Sequence, residues 1–366
     1  MQTIRHVTTF LETLAPLAYQ ESYDNAGLLV GDPDTAVTGI LVTLDCVESV
    51  VDEAVAKGCN LIVAHHPIVF KGLKKLNGSN YVERTIIRAI KNDVAIYATH
   101  TNLDSVTGGV NFMIAEKLGL QNVRILAPKT QTLMKLATFV PLADTQRVLD
   151  ALHEAGAGNI GNYSRASFRV EGTGAYQAGE AANPVLGEIG EYHREPEHRI
   201  EVIFPRHQQR SVLDALRREH PYEEIAYDLY ALENADQTVG SGVVGELPES
   251  MSEQTWLAYL KEKMNLPLIR HTSLLGRPVQ RVAVCGGAGG FLLNDAVRAG
   301  AEVFVTADYK YHEFFDADGR TIICDIGHYE SEVFTKDLLV RHLAKKFVTF
   351  AVIFSETDTN PVRYYV

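Results

Sequence analysis

The sequence predicts an α/β protein in which two related α/β halves form one domain, interrupted by an inserted α+β domain of the ferredoxin-like βαβ-βαβ type. Three observations lead there. Two βαβ patterns lie far apart in the chain, a histidine–carboxylate spacing recurs beside each, and the stretch between them carries a duplication of its own. Length agrees, because 366 residues exceed the ~250 to 300 at which a single core usually stops growing.

The first βαβ pattern starts with Gly39-Ile40-Leu41-Val42-Thr43-Leu44, an apolar run of strand length. Val47, Val50, Val51, Ala54 and Val55 then form the stripe of an amphipathic helix, Gly58 suits its C-terminal cap, and Asn60 to Ala64 is the next strand. The second pattern reads Arg281 to Cys285 as strand, Leu292, Leu293, Ala296 and Val297 as helix face, Gly300 as cap and Glu302 to Thr306 as strand. Gly58 and Gly300 are offset by 242 residues, which sets Ala64-His65-His66 against Thr306-Ala307-Asp308. A further strand, Val94 to Thr99, leads into His100, and its counterpart, Thr321 to Ile326, leads into His328 at an offset of 228. Facing halves would bring these strand ends to one cleft, the edge where open α/β sheets hold ligands.

Between the halves, Val148-Leu149-Asp150-Ala151-Leu152 returns word for word as Val212-Leu213-Asp214-Ala215-Leu216, an offset of 64 residues. Each copy reads strand, helix, strand, which is the basis for the ferredoxin-like insertion. Pro and Gly punctuate its edges near Ala127-Pro128 and Gly240-Ser241-Gly242, giving an insertion over 128–240 and a host domain over 1–127 and 241–366.

Composition narrows the function classes. A formal net charge of −12 argues against nucleic acid as a partner, because phosphate backbones are held by Lys and Arg. No run of roughly 18 apolar residues suggests a membrane span. The start, Met1-Gln2-Thr3-Ile4-Arg5-His6, lacks the apolar segment of a secretory signal, so a cytoplasmic address is expected. The four cysteines, Cys46, Cys59, Cys285 and Cys324, form no C-x-x-C pair and read as buried thiols.

Chemistry concentrates at the strand ends. His65-His66 closes one strand, and His100-x-x-x-Asp104 and His328-x-x-x-Glu332 each place an imidazole four residues before a carboxylate. Imidazole nitrogen with carboxylate oxygen suits zinc, and also iron, manganese or nickel, better than calcium. His65, His66, His328, Asp104 and Glu332 are more donors than one open catalytic zinc takes, and they suit two divalent ions bridged by a carboxylate and water. The net positive charge left on such a pair favours an anionic substrate. Neighbouring strand residues point to opposite faces, so His65 and His66 can share a site only where the strand has ended and Pro67 turns the chain.

His100 reads either as a further ligand or as a group that orients one, His312 as a general acid or base near the cleft, and His312 or His100 as the catalytic group that would move protons. The run Gly286-Gly287-Ala288-Gly289-Gly290 sits where backbone amides could cradle phosphate, but without full G-x-G-x-x-G spacing it reads as a tight turn. His220-Pro221-Tyr222-Glu223-Glu224 reads as a loop entering the insertion's last strand, and His153, His193, His198 and His207 as surface residues.

Asp24-Asn25-Ala26-Gly27-Leu28-Leu29-Val30-Gly31, Ala64-His65-His66-Pro67, His100-Thr101-Asn102-Leu103-Asp104 and Gly327-His328-Tyr329-Glu330-Ser331-Glu332 together resemble, over the whole chain, the NGG-one-interacting-factor-three-like family. Its bacterial members go by the name GTP cyclohydrolase I type 2 homologue. Position by position the resemblance implies that His65, His66, Asp104, His328 and Glu332 are ligands of a dinuclear metal centre, with Glu332 bridging, and it does not require His100. It further implies a toroidal homohexamer with its metal sites on an inner cavity, and a PII-like or CutA-like insertion that includes His220-Pro221-Tyr222-Glu223-Glu224. Many relatives carry Trp before the Asp of the first motif, where this chain has Tyr23.

The function these readings lead to is a metal-dependent hydrolase of a small anionic, nucleotide-like or phosphoester-like substrate, with GTP ring opening as its specific form. The competing expectation is a non-enzymatic metal-binding or regulatory assembly in which the inserted domain senses a ligand or gates the cavity.

Overall fold

The computed structural model describes residues 1–365. They form a mixed α/β structure with three sheets, divided into two compact units: Met1–Ala127 together with the chain from Val239 onward, and Pro128–Thr238.

In the first unit, the strands Gly39–Thr43, Leu61–Ala64 and Ala95–Ala98 run parallel in the middle of a five-stranded sheet, with Ala351–Phe354 parallel on one edge and Gly27–Val30 antiparallel on the other. A six-stranded sheet repeats that centre with Val279–Val284, Val303–Thr306 and Ile322–Asp325, again parallel and adjacent. The helices Glu48–Ala56 and Leu293–Arg298 link the first two strands of each triplet. Both helices end alike: Gly58 and Gly300 take φ of 70° and 72°, and the next residue's N–H reaches back into the last turn, Cys59 to the Ala54 carbonyl and Ala301 to the Ala296 carbonyl. A side chain at either glycine would strain that left-handed cap.

The period of two along each strand sorts side chains between layers. Ile40, Val42, Leu61, Val63, Ala95 and Tyr97 from one sheet and Val282, Val284, Val303, Val305, Ile322 and Cys324 from the other enter one shared core. Helices Ile4–Leu14, Val110–Lys117, Glu253–Lys263 and Thr335–Lys346 contribute Val7, Leu11, Ile114, Trp256, Leu260 and Leu339 to it. The alternate residues Leu41, Ile62 and Ile96 pack outward with Val50, Val51 and Ala54, and Ala283, Phe304 and Ile323 pack outward with Leu293 and Ala296. The two triplets are therefore buried on both faces, as their unbroken apolar runs require.

In the second unit, strands Leu133–Pro141, Phe168–Gln177, Tyr192–Pro205 and Tyr227–Leu232 form an antiparallel sheet in which Tyr192–Pro205 and Leu133–Pro141 are central. Helices Thr145–Glu154 and Gln209–Glu219 carry the duplicated pentapeptide. Its apolar positions, Val148, Leu149 and Leu152 in one copy and Val212, Leu213 and Leu216 in the other, meet Leu136, Ile200, Val202 and Phe204 in this unit's core. The repeated words are thus packing words.

Candidate metal centre

The five clustered side chains, His65, His66, Asp104, His328 and Glu332, hang from the turn or short helix that follows a triplet strand. Leu61–Ala64 ends as a strand one residue before His65; the His65 and His66 amides then both donate to the Leu44 carbonyl, at 3.1 and 2.9 Å. This bend brings both rings to one side, with centroids 4.9 Å apart. Asp104 closes the short helix Thr101–Asp104, and His328 and Glu332 bound the helix His328–Glu332, one turn apart on one face.

The donor atoms converge. Glu332 Oε2 lies 2.9 Å from His66 Nε2, 3.1 Å from His328 Nε2 and 3.9 Å from His65 Nε2. His65 Nε2 lies 3.5 Å from Asp104 Oδ1, and the Nε2 atoms of His66 and His328 are 3.3 Å apart. His65, His66 and Glu332 form a group that could hold a metal ion.

Three imidazoles are fixed from behind by aspartates. His66 Nδ1 donates to Asp45, His328 Nδ1 to Asp308 and His100 Nδ1 to Asp24, each at 2.7 Å. A carboxylate on one ring nitrogen sets the tautomer and aims the other nitrogen, which is how metal-binding histidines are held. Asp24 is itself anchored by the Thr101 hydroxyl and amide. Burial works against its charge, yet the bonds from His100 and Thr101 bring its pKa down to about 2. Asp45 is bonded in turn by the Thr359 hydroxyl at 2.8 Å. Asp308 takes a left-handed φ of 58°, a conformation that a short polar side chain tolerates best.

Electrostatics separates the donors into two sets. Burial disfavours charge on His66 and His328, but hydrogen bonds to Asp45 and Glu332 lift the first to about 9, and bonds to Asp308 and Glu332 lift the second to about 11. Burial also opposes the Glu332 charge, and those same histidines hold its pKa well below the carboxylate range. Asp104 is pushed the other way, first by burial and then by the negative charge of Glu332. His65 is driven well below its usual value by burial, so its ring is neutral.

Both ring nitrogens of His65 and Oδ1 of Asp104 are buried without a hydrogen-bond partner. Orphaned polar atoms of this kind are rare and costly. A cation shared by His65 Nε2 and Asp104 Oδ1, 3.5 Å apart, satisfies those two atoms, so the residues present fit a divalent metal ion.

A cavity of about 850 Å³ opens onto the cluster; Asp45, His66, His100, Asp104, His328 and Glu332 all line it. At its edge Gly287, at φ 59°, lets the chain pass the cluster: a Cβ there would fall 2.6 Å from Glu332 Oε1. The glycine run is a turn, as its spacing suggested. Thr306 Oγ1 accepts from the Gly289 amide, and Ser331 Oγ from that of Gly287.

His65, His66, Asp104, His328 and Glu332 are thus brought together, and His100 stands beside them with its ring centroid 5.6 Å from those of His65 and His66. His312 lies elsewhere. It is exposed on the 3-10 helix Tyr311–Ala317, its ring against Tyr311 and Phe315, and it does not line the cavity. His220 is buried within the second unit, accepting from the Tyr222 amide and donating to the Phe139 carbonyl. Sequence reasoning assigned no role to Asp24, Asp45 or Asp308. One signal was available: Asp308 stands opposite His66 in the 242-residue repeat.

Fold and site together define a doubled α/β protein with a histidine–carboxylate centre competent for metal at its strand ends. The model of the Duf34/NIF3 (NGG1p interacting factor 3) family matches residues 2–361, and the chain belongs to that family. A Bacillus subtilis (strain 168) protein named GTP cyclohydrolase 1 type 2 homolog is 38% identical over 368 residues, 98% of each chain. A Halalkalibacterium halodurans protein of the same name is 39% identical over 364 residues, again 98% of each. The crystal structure of a Bacillus cereus protein related to NIF3 matches with a TM-score of 0.86 at 38% identity, covering 100% of this chain and 99% of that one. No helix among the described residues is long and apolar enough to cross a membrane.

Proposed function

We propose that the chain is a metal-dependent hydrolase of a small anionic substrate and holds two divalent ions, zinc first, with iron, manganese or nickel also suited to the ligands. The observation that carries this reading is the pairing of orphaned donors on His65 and Asp104 with the Asp45–His66 and Asp308–His328 pairs on the other side of Glu332. Five donor residues, Glu332 and the four gathered with it, exceed the needs of a single ion, and Glu332 would be the one to bridge two. Bound there, the ions would polarise the scissile centre and lower the pKa of an attacking water towards ~7.

The chain's own residues supply orientation and proton traffic. Asp45 and Asp308 keep Nε2 of His66 and His328 aimed at Glu332. His100, whose Nδ1 is engaged by Asp24, lines the cavity and has Nε2 as the atom that takes a proton from, or returns one to, a substrate. GTP ring opening, the reaction suggested by the relatives' names, is one member of this reaction class.

We further propose that the second unit is a ferredoxin-like insertion. Its strand order, with the first and third of its four strands central and the second and fourth at the edges, supports this. A homohexamer is the assembly we propose, on the resemblance described above.

The test is elemental analysis of purified, reconstituted protein together with turnover on a nucleotide and phosphoester panel. Close to two ions per chain is expected, and turnover lost in Asp104→Ala with the assembly intact. Failure to take up any ion after reconstitution would overturn the reading. Two ions without turnover across the panel would retain the metal centre and remove the hydrolase.

A further inference from the structure

The wall of the cavity is chemically one-sided. Among the described residues that line it there is no lysine and no arginine, the side chains that ordinarily hold phosphate chains. The glycine run does not replace them. The Gly286 amide donates to Asn111 Oδ1, that of Gly287 to Ser331 Oγ and that of Gly289 to Thr306 Oγ1, each at 2.9 Å. With these three amides engaged inside the protein, the run lacks the row of free N–H groups that cradles a phosphate chain. Glu21 and Asp45 add negative charge to the same wall.

What the wall offers instead is aromatic. Tyr23, Phe70, Tyr81 and Phe291 line the cavity yet are 63%, 44%, 57% and 70% exposed. The Tyr23 and Phe70 rings stand 6.2 Å apart. Phe70 meets the His100 ring edge-on at 6.0 Å, and His100 is 5.6 Å from both His65 and His66. The aromatic pair therefore begins one ring's width from the histidine–carboxylate cluster. Exposed rings gathered in a concave site gain most from a flat apolar face laid against them.

We propose that this cavity binds an aromatic or heteroaromatic ring packed against Tyr23 and Phe70, stacked on one and edge-on to the other because their planes are inclined by 49°, in a substrate whose single anionic head, one phosphoryl or carboxylate group, meets the cluster, and that a polyphosphate tail forms no part of what is recognised. This deepens the metal-centre reading and rests on it. The head is met by the charge of the bound ions, and further phosphates would find carboxylates instead of cations.

The test uses the full chain, metal-loaded, in calorimetric titrations with phenylphosphonate, methylphosphonate, GMP and GTP, with the metal content of each sample measured separately. Phenylphosphonate is expected to bind at least about tenfold more tightly than methylphosphonate, since stacking on an aromatic side chain is commonly worth that much. GTP should bind no more than about threefold more tightly than GMP. Phe70→Ala and Tyr23→Ala, both at exposed positions, should each remove most of the phenyl advantage at unchanged metal content. Equal binding of the two phosphonates, variants that keep the preference, or GTP binding far more tightly than GMP would overturn the proposal. Absence of metal from the reconstituted wild-type chain would instead overturn the reading beneath it, and the metal measurement reports that separately.

Discussion

The Nε2 atoms of His66 and His328 lie 3.3 Å apart with Glu332 Oε2 2.9 and 3.1 Å from them. Two imidazolium rings so close would repel; the carboxylate between them, with Asp45 and Asp308 behind, is what makes the arrangement stable. The protons on those nitrogens point where a cation would sit.

Metal uptake must therefore displace protons. With His66 at about 9 and His328 at about 11 in the metal-free chain, both carry a proton on Nε2 at neutral pH. Calorimetric titration of metal in buffers of differing ionisation enthalpy is expected to show more than one proton released per chain, and apparent affinity rising with pH. Binding without proton release would contradict the arrangement. Stability of the metal-free chain should run the opposite way. A histidine raised above its unfolded value of ~6.5 stabilises fully below that pH, and the contribution is lost as pH rises through the folded value. Melting temperature after chelation should thus fall from roughly pH 7 to pH 10.

Asp45 and Asp308 touch no metal in this scheme and still control it. Asp45→Ala or Asp308→Ala frees one ring nitrogen and with it the tautomer and aim of His66 or His328. Removing such a partner typically costs about 10 to 100-fold in metal affinity. Competition against a chelating dye measures this, and the far-ultraviolet circular dichroism should be unchanged.

The parallel triplets were legible because Leu61–Ala64 and Val303 to Val305 are unbroken apolar runs, and each preceding helix has its glycine cap, Gly58 or Gly300. The H-x3-[DE] spacing was legible too, since His328 and Glu332 fall one helical turn apart. Asp24 and Asp45 were not. A lone carboxylate in a loop has no period, and its partner, His100 for Asp24 and His66 for Asp45, is supplied by the fold, not by spacing. His312 shows the converse limit. Four residues after Asp308 it is near the cleft in sequence, but the 3-10 helix Tyr311–Ala317 carries its ring to the surface.

Gly287 gives a steric test of the same centre. Gly287→Ala would place a methyl 2.6 Å from Glu332 Oε1 at a φ of 59°, whereas the nearest atom to a methyl at Gly290 is Tyr309 Cε2 at an ordinary 3.5 Å. The first substitution is expected to displace Glu332, lower metal occupancy and destabilise by about 1 kcal/mol or more from backbone strain alone. Gly290→Ala should leave metal occupancy intact. Equal occupancy in the two variants would mean that Glu332 does not need its present position.

The reach of the site extends to Glu53, which lies outside the cavity lining. Its carboxylate accepts from Ser355 Oγ at 2.6 Å, from the Glu356 amide at 2.8 Å and from Thr357 Oγ1 at 2.7 Å, and so pins the chain just before Thr359. Thr359 Oγ1 then donates to Asp45, the residue that aims His66. Burial opposes the Glu53 charge, but the Glu356 amide, Lys57, Ser355 and Thr357 together lower its pKa to about 2. A carboxyl depressed in the folded state stabilises above its unfolded value of ~4.3, and that stabilisation is lost as pH falls through the folded value. The segment 355–357 should accordingly lose hydrogen-exchange protection as pH falls from roughly 4 towards 2, ahead of the parallel strands. At neutral pH, Glu53→Gln retains the shape and removes the charge-assisted bonds. It is expected to raise exchange at 355–357 and to weaken metal binding several-fold, roughly 1 kcal/mol passed on through Thr359 and Asp45. Unchanged affinity alongside faster exchange would show that Asp45 holds His66 without help from the C-terminal segment.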